Sequence, residues 1–207
     1  MRIHDYGEMN LHDLDVMREI GSIGTGHAAT SLSQMLQKEV RITFPQIKIL
    51  GYDEAVESIG GNVEEIVGAT LVKMDDDING IMLFLFNLEL ANTVFEKMMG
   101  MTYPSFEQFD EMAYSAMTEI GNIIICSYVN AFTEFVDLNI SLSVPSSCVS
   151  MLGAILEVPI AEYGYETDKL MYCTADFVIE GKTYRDWLLM LPDIASLNNI
   201  LKKLGVD

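Results

Sequence analysis

Residues 113–145 read "AYSAMTEIGNIIICSYVNAFTEFVDLNISLSVP", and residues 13–45 read "DLDVMREIGSIGTGHAATSLSQMLQKEVRITFP". Laid over each other without a gap, Glu19 meets Glu119, while Ile20, Gly21 and Ile23 meet Ile120, Gly121 and Ile123. Asp15 meets Ser115, Ser22 meets Asn122, and Pro45 meets Pro145. Self-similarity of this kind signals a duplicated structural unit. The segments that follow match as well. Residues 66–100 and 171–205 each read as strand, turn, strand and helix, with "DDING" and "EGK" at the turns. Gly100 and Gly205 stand where helix C-caps are expected.

The chain is thus expected to be α/β (α+β), an internally duplicated helix–strand–hairpin–helix unit. Two long helices would pack on one shared, largely antiparallel sheet. The halves run from 11 to 100 and from 105 to 207, within a single domain spanning 1–207. Each half would be a long helix, an extended segment entering at the proline, a hairpin and a closing helix. Asn10 is a candidate N-cap for the first helix, and Ser105 with Gln108 reads as a capping box for the second.

At roughly 100° per residue, Ala116, Ile120, Ile123, Ile124, Phe132 and Phe135 spread over one broad helical face. Ser115, Glu119, Asn122, Cys126 and Thr133 fall on a narrow stripe roughly opposite, pointing outward. Asp15, Glu19, Ser22, Gly26, Thr30 and Ser33 form the matching stripe of the first half. A Glu and an Asn at i, i+3 on such a face are usually a solvated surface and nothing more. The glycines raise the interest. Gly inside a helix costs about 1 kcal/mol relative to Ala, yet Gly21 and Gly121 each follow their Glu by two positions. Close approach of a neighbouring element or of a docked partner would explain them.

Composition narrows the function classes. Twelve Lys and Arg stand against 31 Asp and Glu, a formal charge of −19, which repels phosphate backbones and anionic lipid. Neither nucleic acid nor a membrane is expected as a partner. The N-terminus is too polar for a signal peptide, so a cytoplasmic location is expected. The three cysteines lack C-x-x-C spacing, indicating neither zinc nor a disulfide framework; they are expected to be buried free thiols. "GSIGTG" at 21–26 lacks the preceding strand that a phosphate-binding loop requires, and no Ser-His-Asp or Cys-His arrangement can be assembled.

The pattern Ser115, Glu119, Asn122 and, 22 intervening residues on, Pro145 resembles the signature of the CheC/CheX/FliY family of CheY-phosphate phosphatases. The first copy is Asp15, Glu19, Ser22 and Pro45, with serine in place of asparagine. Two copies in a chain of this length resemble the CheC branch. The resemblance implies catalysis by Asn122 and Glu119, with Glu19 as their first-copy counterpart and with Ser115, Asp15 and Ser22 in binding positions. It implies a phosphorylated CheY-type receiver domain as partner, and no metal or cofactor of the chain's own, since the receiver brings Mg²⁺. The first site is expected to be weak or inactive. The same resemblance raises the receptor deamidase CheD as a partner through "CVSMLGAIL", 148–156. An Asp commonly precedes the Met there, and Ser150 argues against it. The alternative is a non-catalytic binding module or sink for a phosphorylated regulator.

Overall fold

The computed structural model describes residues 3–163 and 169–205. The long helices α1 (Leu11–Leu36) and α4 (Glu111–Val136) have the same length and begin at matching positions of the two copies. Asn10 caps α1: its Oδ1 accepts from the backbone of His12 and Asp13, and Asp13 Oδ2 accepts in turn from Asn10 N at 2.7 Å. The cap of α4 is not the one expected. Ser105 opens a short 3₁₀ turn, Phe106–Gln108, and its side chain makes no capping bond. Asp110 does the capping, accepting from Ala113 N at 2.9 Å and from the Tyr103 hydroxyl at 2.8 Å. Those bonds hold its carboxyl below the usual carboxylate range. A matching 3₁₀ turn, Tyr6–Glu8, precedes α1, so the duplication reaches further toward the N-terminus than the sequence motifs do.

Each half also contains a helix that the sequence reading passed over: α2 (Tyr52–Ile59) and α5 (Leu152–Tyr163). The remaining elements are β1 (Val40–Gly51), β2 (Ile66–Asp76), β3 (Gly80–Phe86), α3 (Leu88–Met99), β4 (Ile140–Leu142), β5 (Ser146–Met151), β6 (Lys169–Ile179), β7 (Lys182–Pro192) and α6 (Ile194–Lys203). Gly100 ends α3 in the left-handed region, at φ 70°. Gly205 follows α6 at φ 72°, where a side chain would be strained.

The sheet is antiparallel, seven-stranded and ordered β1-β6-β7-β3-β2-β4, with β5 also on β2. Its order shows that the halves trade strands. β1 of the first half pairs with β6 of the second, while β4 and β5 of the second pair with β2 of the first. The two hairpins meet at β3 and β7. One hydrophobic core therefore runs through both halves.

The proline of each motif does not open the extended segment; it interrupts it. The β1 register shifts between Thr43 and Gln46, around Pro45. Residues 143–145 separate β4 from β5 at the equivalent place. Proline has no N–H to give to a ladder, so the pairing breaks where it falls.

The long helices pack on each other and on the sheet. A Cβ on Gly24 would lie 2.9 Å from Tyr128 Cα, and Thr25 and Tyr128 share a buried hydroxyl–hydroxyl hydrogen bond of 2.7 Å. Most of the predicted core face of α4 is buried, but Phe135 is 48% exposed. Phe132 and Val136 occupy the buried side of that turn, and Phe135 lies about 100° away from Val136.

One buried acid stands apart from any site. Asp186 is 0% exposed; its Oδ1 accepts from Asn87 N at 2.8 Å, while Oδ2 has no partner among the described residues. Asn87 in turn caps α3 by accepting from Leu90 N. Burial pushes the Asp186 carboxyl well above its ordinary range, with the Asn87 bonds opposing. Folding therefore favours the protonated form. That contribution is full below about pH 4, where the unfolded carboxyl also holds its proton. It is lost as pH rises toward the folded-state value, by up to about 1.4 kcal/mol per pH unit. Asp186→Asn should flatten this part of the pH dependence. Thermal melts from pH 4 to 7 check it, and parallel curves for the two proteins would mean that the carboxyl is ionised in the fold.

Candidate functional site

Along α4 the side chains of Met112, Ser115, Glu119, Asn122 and Cys126 recur every three or four positions and so share one stripe. Ser115 and Glu119 are exposed, and Asn122 is half-buried. Among the described residues, the Glu119 carboxylate has no hydrogen bond or ion pair. The Asn122 amide has one hydrogen bond, accepted at Oδ1 from the Cys126 thiol at 3.3 Å. Its NH₂ has no partner among the described residues. Burial, with a smaller push from the Glu119 carboxylate, raises the Cys126 pKa, so the thiol keeps its proton and donates. Met112, 55% exposed, heads the stripe with apolar surface.

The helix is held from beneath. Gly121 is buried, and a Cβ there would lie 2.5 Å from Thr70 Cβ on β2. The close neighbour is thus a strand of this chain. Beside it, Ser147 Oγ lies 2.8 Å from Thr118 Oγ1 and 2.7 Å from Thr70 Oγ1. Three hydroxyls from α4, β5 and β2 therefore meet directly behind the Glu119 turn, and Thr70 is 0% exposed. Ser147 comes two residues after Pro145, which ties the proline's ladder break to the helix. Thr70 and Ser147 were not found in the sequence reading, because nothing local connects 70, 118 and 147.

The first copy is built differently. Asp15, Glu19 and Ser22 are all exposed on α1. Asp15 is engaged by Arg18 at 2.9 Å, an exposed pair of small energetic weight. Glu19 and Ser22 have no side-chain partners among the described residues. Arg18 occupies the place of Thr118, Ile47 that of Ser147, and Gly26 that of Cys126. Hence neither the hydroxyl cluster nor the thiol contact has a counterpart.

Of the three cysteines only Cys173 is buried; Cys126 is half-buried and Cys148 exposed. The expectation of three buried thiols therefore fails for two of them. Cys148 sits on the short outer strand β5, where it pairs with Ala69. No group of three His, Cys, Asp or Glu side chains among the described residues is arranged to hold a metal. No helix among them is long and apolar enough to cross a membrane.

The CheC-like family model matches residues 13–49, which hold the first motif. The model for the chemotaxis phosphatase CheX matches residues 69–161, which hold the second. The CheY-P phosphatase CheC of Bacillus subtilis (strain 168) is 28% identical over 198 residues, 94% of each chain. In both of its halves the chain is similar to proteins of the CheC/CheX/FliY family. The CheX match begins in the β2–β3 hairpin of the first half and runs on through α4 and α5, whereas the CheC-like match is confined to α1 and β1.

Solved structures of CheC/CheX/FliY proteins share the fold. FliY of Thermotoga maritima superposes with a TM-score of 0.74 at 19% identity, covering 97% of this chain and 100% of that one. CheX of Borrelia burgdorferi is represented by a CheX–CheY–BeF₃–Mg²⁺ complex, at a TM-score of 0.53 and 17% identity over 84% of this chain and 97% of that one.

Proposed function

We propose that this protein dephosphorylates the aspartyl phosphate of a CheY-type response regulator, using the α4 site. The observation that carries this is the open Glu119–Asn122 pair. Both side chains present polar groups with no partner among the described residues, on a helix fixed from behind by Gly121 and the Thr70–Ser147–Thr118 cluster. The likeness to the CheX and CheC-like family models and to the B. subtilis CheY-P phosphatase supports it.

A receiver domain brings its phosphoryl group, Mg²⁺ and a lysine. What remains for hydrolysis is an in-line water held in place. An amide offers both a donor and an acceptor to one water, and that is the role of Asn122. Glu119, one turn earlier, pairs with the receiver's lysine and keeps the amide in register. Ser115 lies at the contact surface. This chemistry uses no nucleophile or metal of this chain.

On α1, Glu19 and Asp15 remain available for docking, but Ser22 is shorter than asparagine and presents a hydroxyl in place of a planar amide. The exposed Glu19 beside a missing amide favours a second reading for this copy alone: it binds a phosphorylated receiver without hydrolysing it. The test is phosphate release from a Mg²⁺-loaded, phosphorylated receiver, with and without this protein. Multiple turnovers are expected. Stoichiometric capture without release would make the whole protein a binding module. Ser22→Asn should raise release by at most about twofold, since distant independent sites add; no change would show that the amide alone does not create a site.

A further inference from the structure

We infer that Cys126 is a positioning residue for Asn122: its thiol sets the rotation of the amide so that the NH₂ faces the docked partner. The inference rests on the reading of Asn122 given above. Cys126 lies one turn further along α4, and i, i+4 residues share a helical face. Its Sγ is 3.3 Å from Asn122 Oδ1. A planar amide can present either end, and rotating it by half a turn exchanges oxygen for nitrogen. A protonated thiol favours the oxygen, to which its S–H donates, because sulfur is only a weak acceptor for an amide N–H. The oxygen is then tethered inward, while its second lone pair and the whole NH₂ stay available to a water and a phosphoryl oxygen.

The surroundings suit this task. Cys126 is half-buried, so bulk water does not simply replace it as the partner of Oδ1. Burial and the Glu119 carboxylate keep the thiol protonated, which preserves it as a donor. The duplicated half is an internal comparison. Where Asn122 is replaced by Ser22, Cys126 is replaced by Gly26, and a Cβ at Gly26 would meet nothing within 4 Å. Amide and tether occur together in one copy and are both missing from the other.

The test uses the full chain and a phosphorylated CheY-type receiver with Mg²⁺. Cys126→Ala should lower kcat about three- to tenfold, equivalent to about 0.7–1.4 kcal/mol, with KM for the receiver unchanged. Cys126→Ser, which keeps a donor, should recover most of the loss; a purely packing role would not distinguish a hydroxyl from a methyl in this way. In an Asn122→Ala background, Cys126→Ala should have no further effect. As a readout independent of turnover, the side-chain NH₂ resonances of Asn122 should move in Cys126→Ala and return in Cys126→Ser. Full kcat and unmoved resonances in Cys126→Ala overturn the inference while leaving the Asn122 site intact. Full activity in Asn122→Ala would instead overturn the site, and the positioning role with it.

Discussion

Asn122→Ala should slow dephosphorylation of the receiver by about a hundredfold or more, with little change in KM. The size follows from what the amide is asked to do. Each decade of rate corresponds to about 1.4 kcal/mol, and holding a water in line is an orientation effect in which about 1 Å of misplacement costs a hundredfold. Alanine at 122 removes donor and acceptor together and leaves the water to diffuse. Glu119 is untouched by the change, has no partner among the described residues, and remains available to meet the receiver. The loss should therefore appear in kcat. The helix itself should be unharmed, because Asn122 is half-buried and alanine is the better helix former. Steady-state kinetics beside a thermal melt separate the two. The assignment is wrong if Asn122→Ala turns over at the original rate while Ser22→Ala does not.

Gly121→Ala should have the second largest effect, through the same site but by another route. Helix propensity alone would favour alanine by about 1 kcal/mol. The structure opposes it: the new methyl would lie 2.5 Å from Thr70 Cβ and 2.6 Å from Thr70 Oγ1, distances that force backbone movement. Overpacking of this kind costs typically ~1–3 kcal/mol, and a contact this short belongs at the upper end of that range, so the clash outweighs the propensity; melting should fall by about 2–4 °C for each kcal/mol of net loss in a chain of this size. Activity should fall further than stability does, because α4 has to lift away from β2 and carries Glu119 and Asn122 with it. Gly26→Ala is the control. It lies inside α1 with open space around it, so the same substitution should stabilise the protein slightly and leave turnover unchanged. A Gly121→Ala protein with undiminished melting and turnover would show that the strand is not pressing on the helix.

The two substitutions probe different links of one chain of cause. In the proposed mechanism Asn122 would carry the chemistry, whereas Gly121 packs against β2 and fixes where the helix stands. The first would be read by the partner and the second only by the sheet. This is why a glycine that cannot touch the receiver is expected to matter to it.

Much of this protein is written in its sequence, because the interactions concerned are local. The caps at Asn10 and Gly100, the helical period of both stripes and the turn residues of both hairpins act over a few positions, so the duplication and the outward Glu–Asn pair could be read directly. The 3₁₀ turn that displaced Ser105 as a helix cap, and the short helices α2 and α5, were missed because brief elements carry too little periodicity to show. The i, i+4 relation of Cys126 to Asn122 was present in the sequence, but not the half-buried setting that makes the thiol a useful donor. Tertiary structure alone decided the exchange of strands between the halves, which depends on pairing between segments far apart in the chain, such as Thr43 with Asp176 and Leu71 with Ser146. It also decided that Thr70, Thr118 and Ser147 meet, and that Gly121 faces a strand. Contacts of that kind arise from packing non-local surfaces into one core, and no single segment of the chain encodes them.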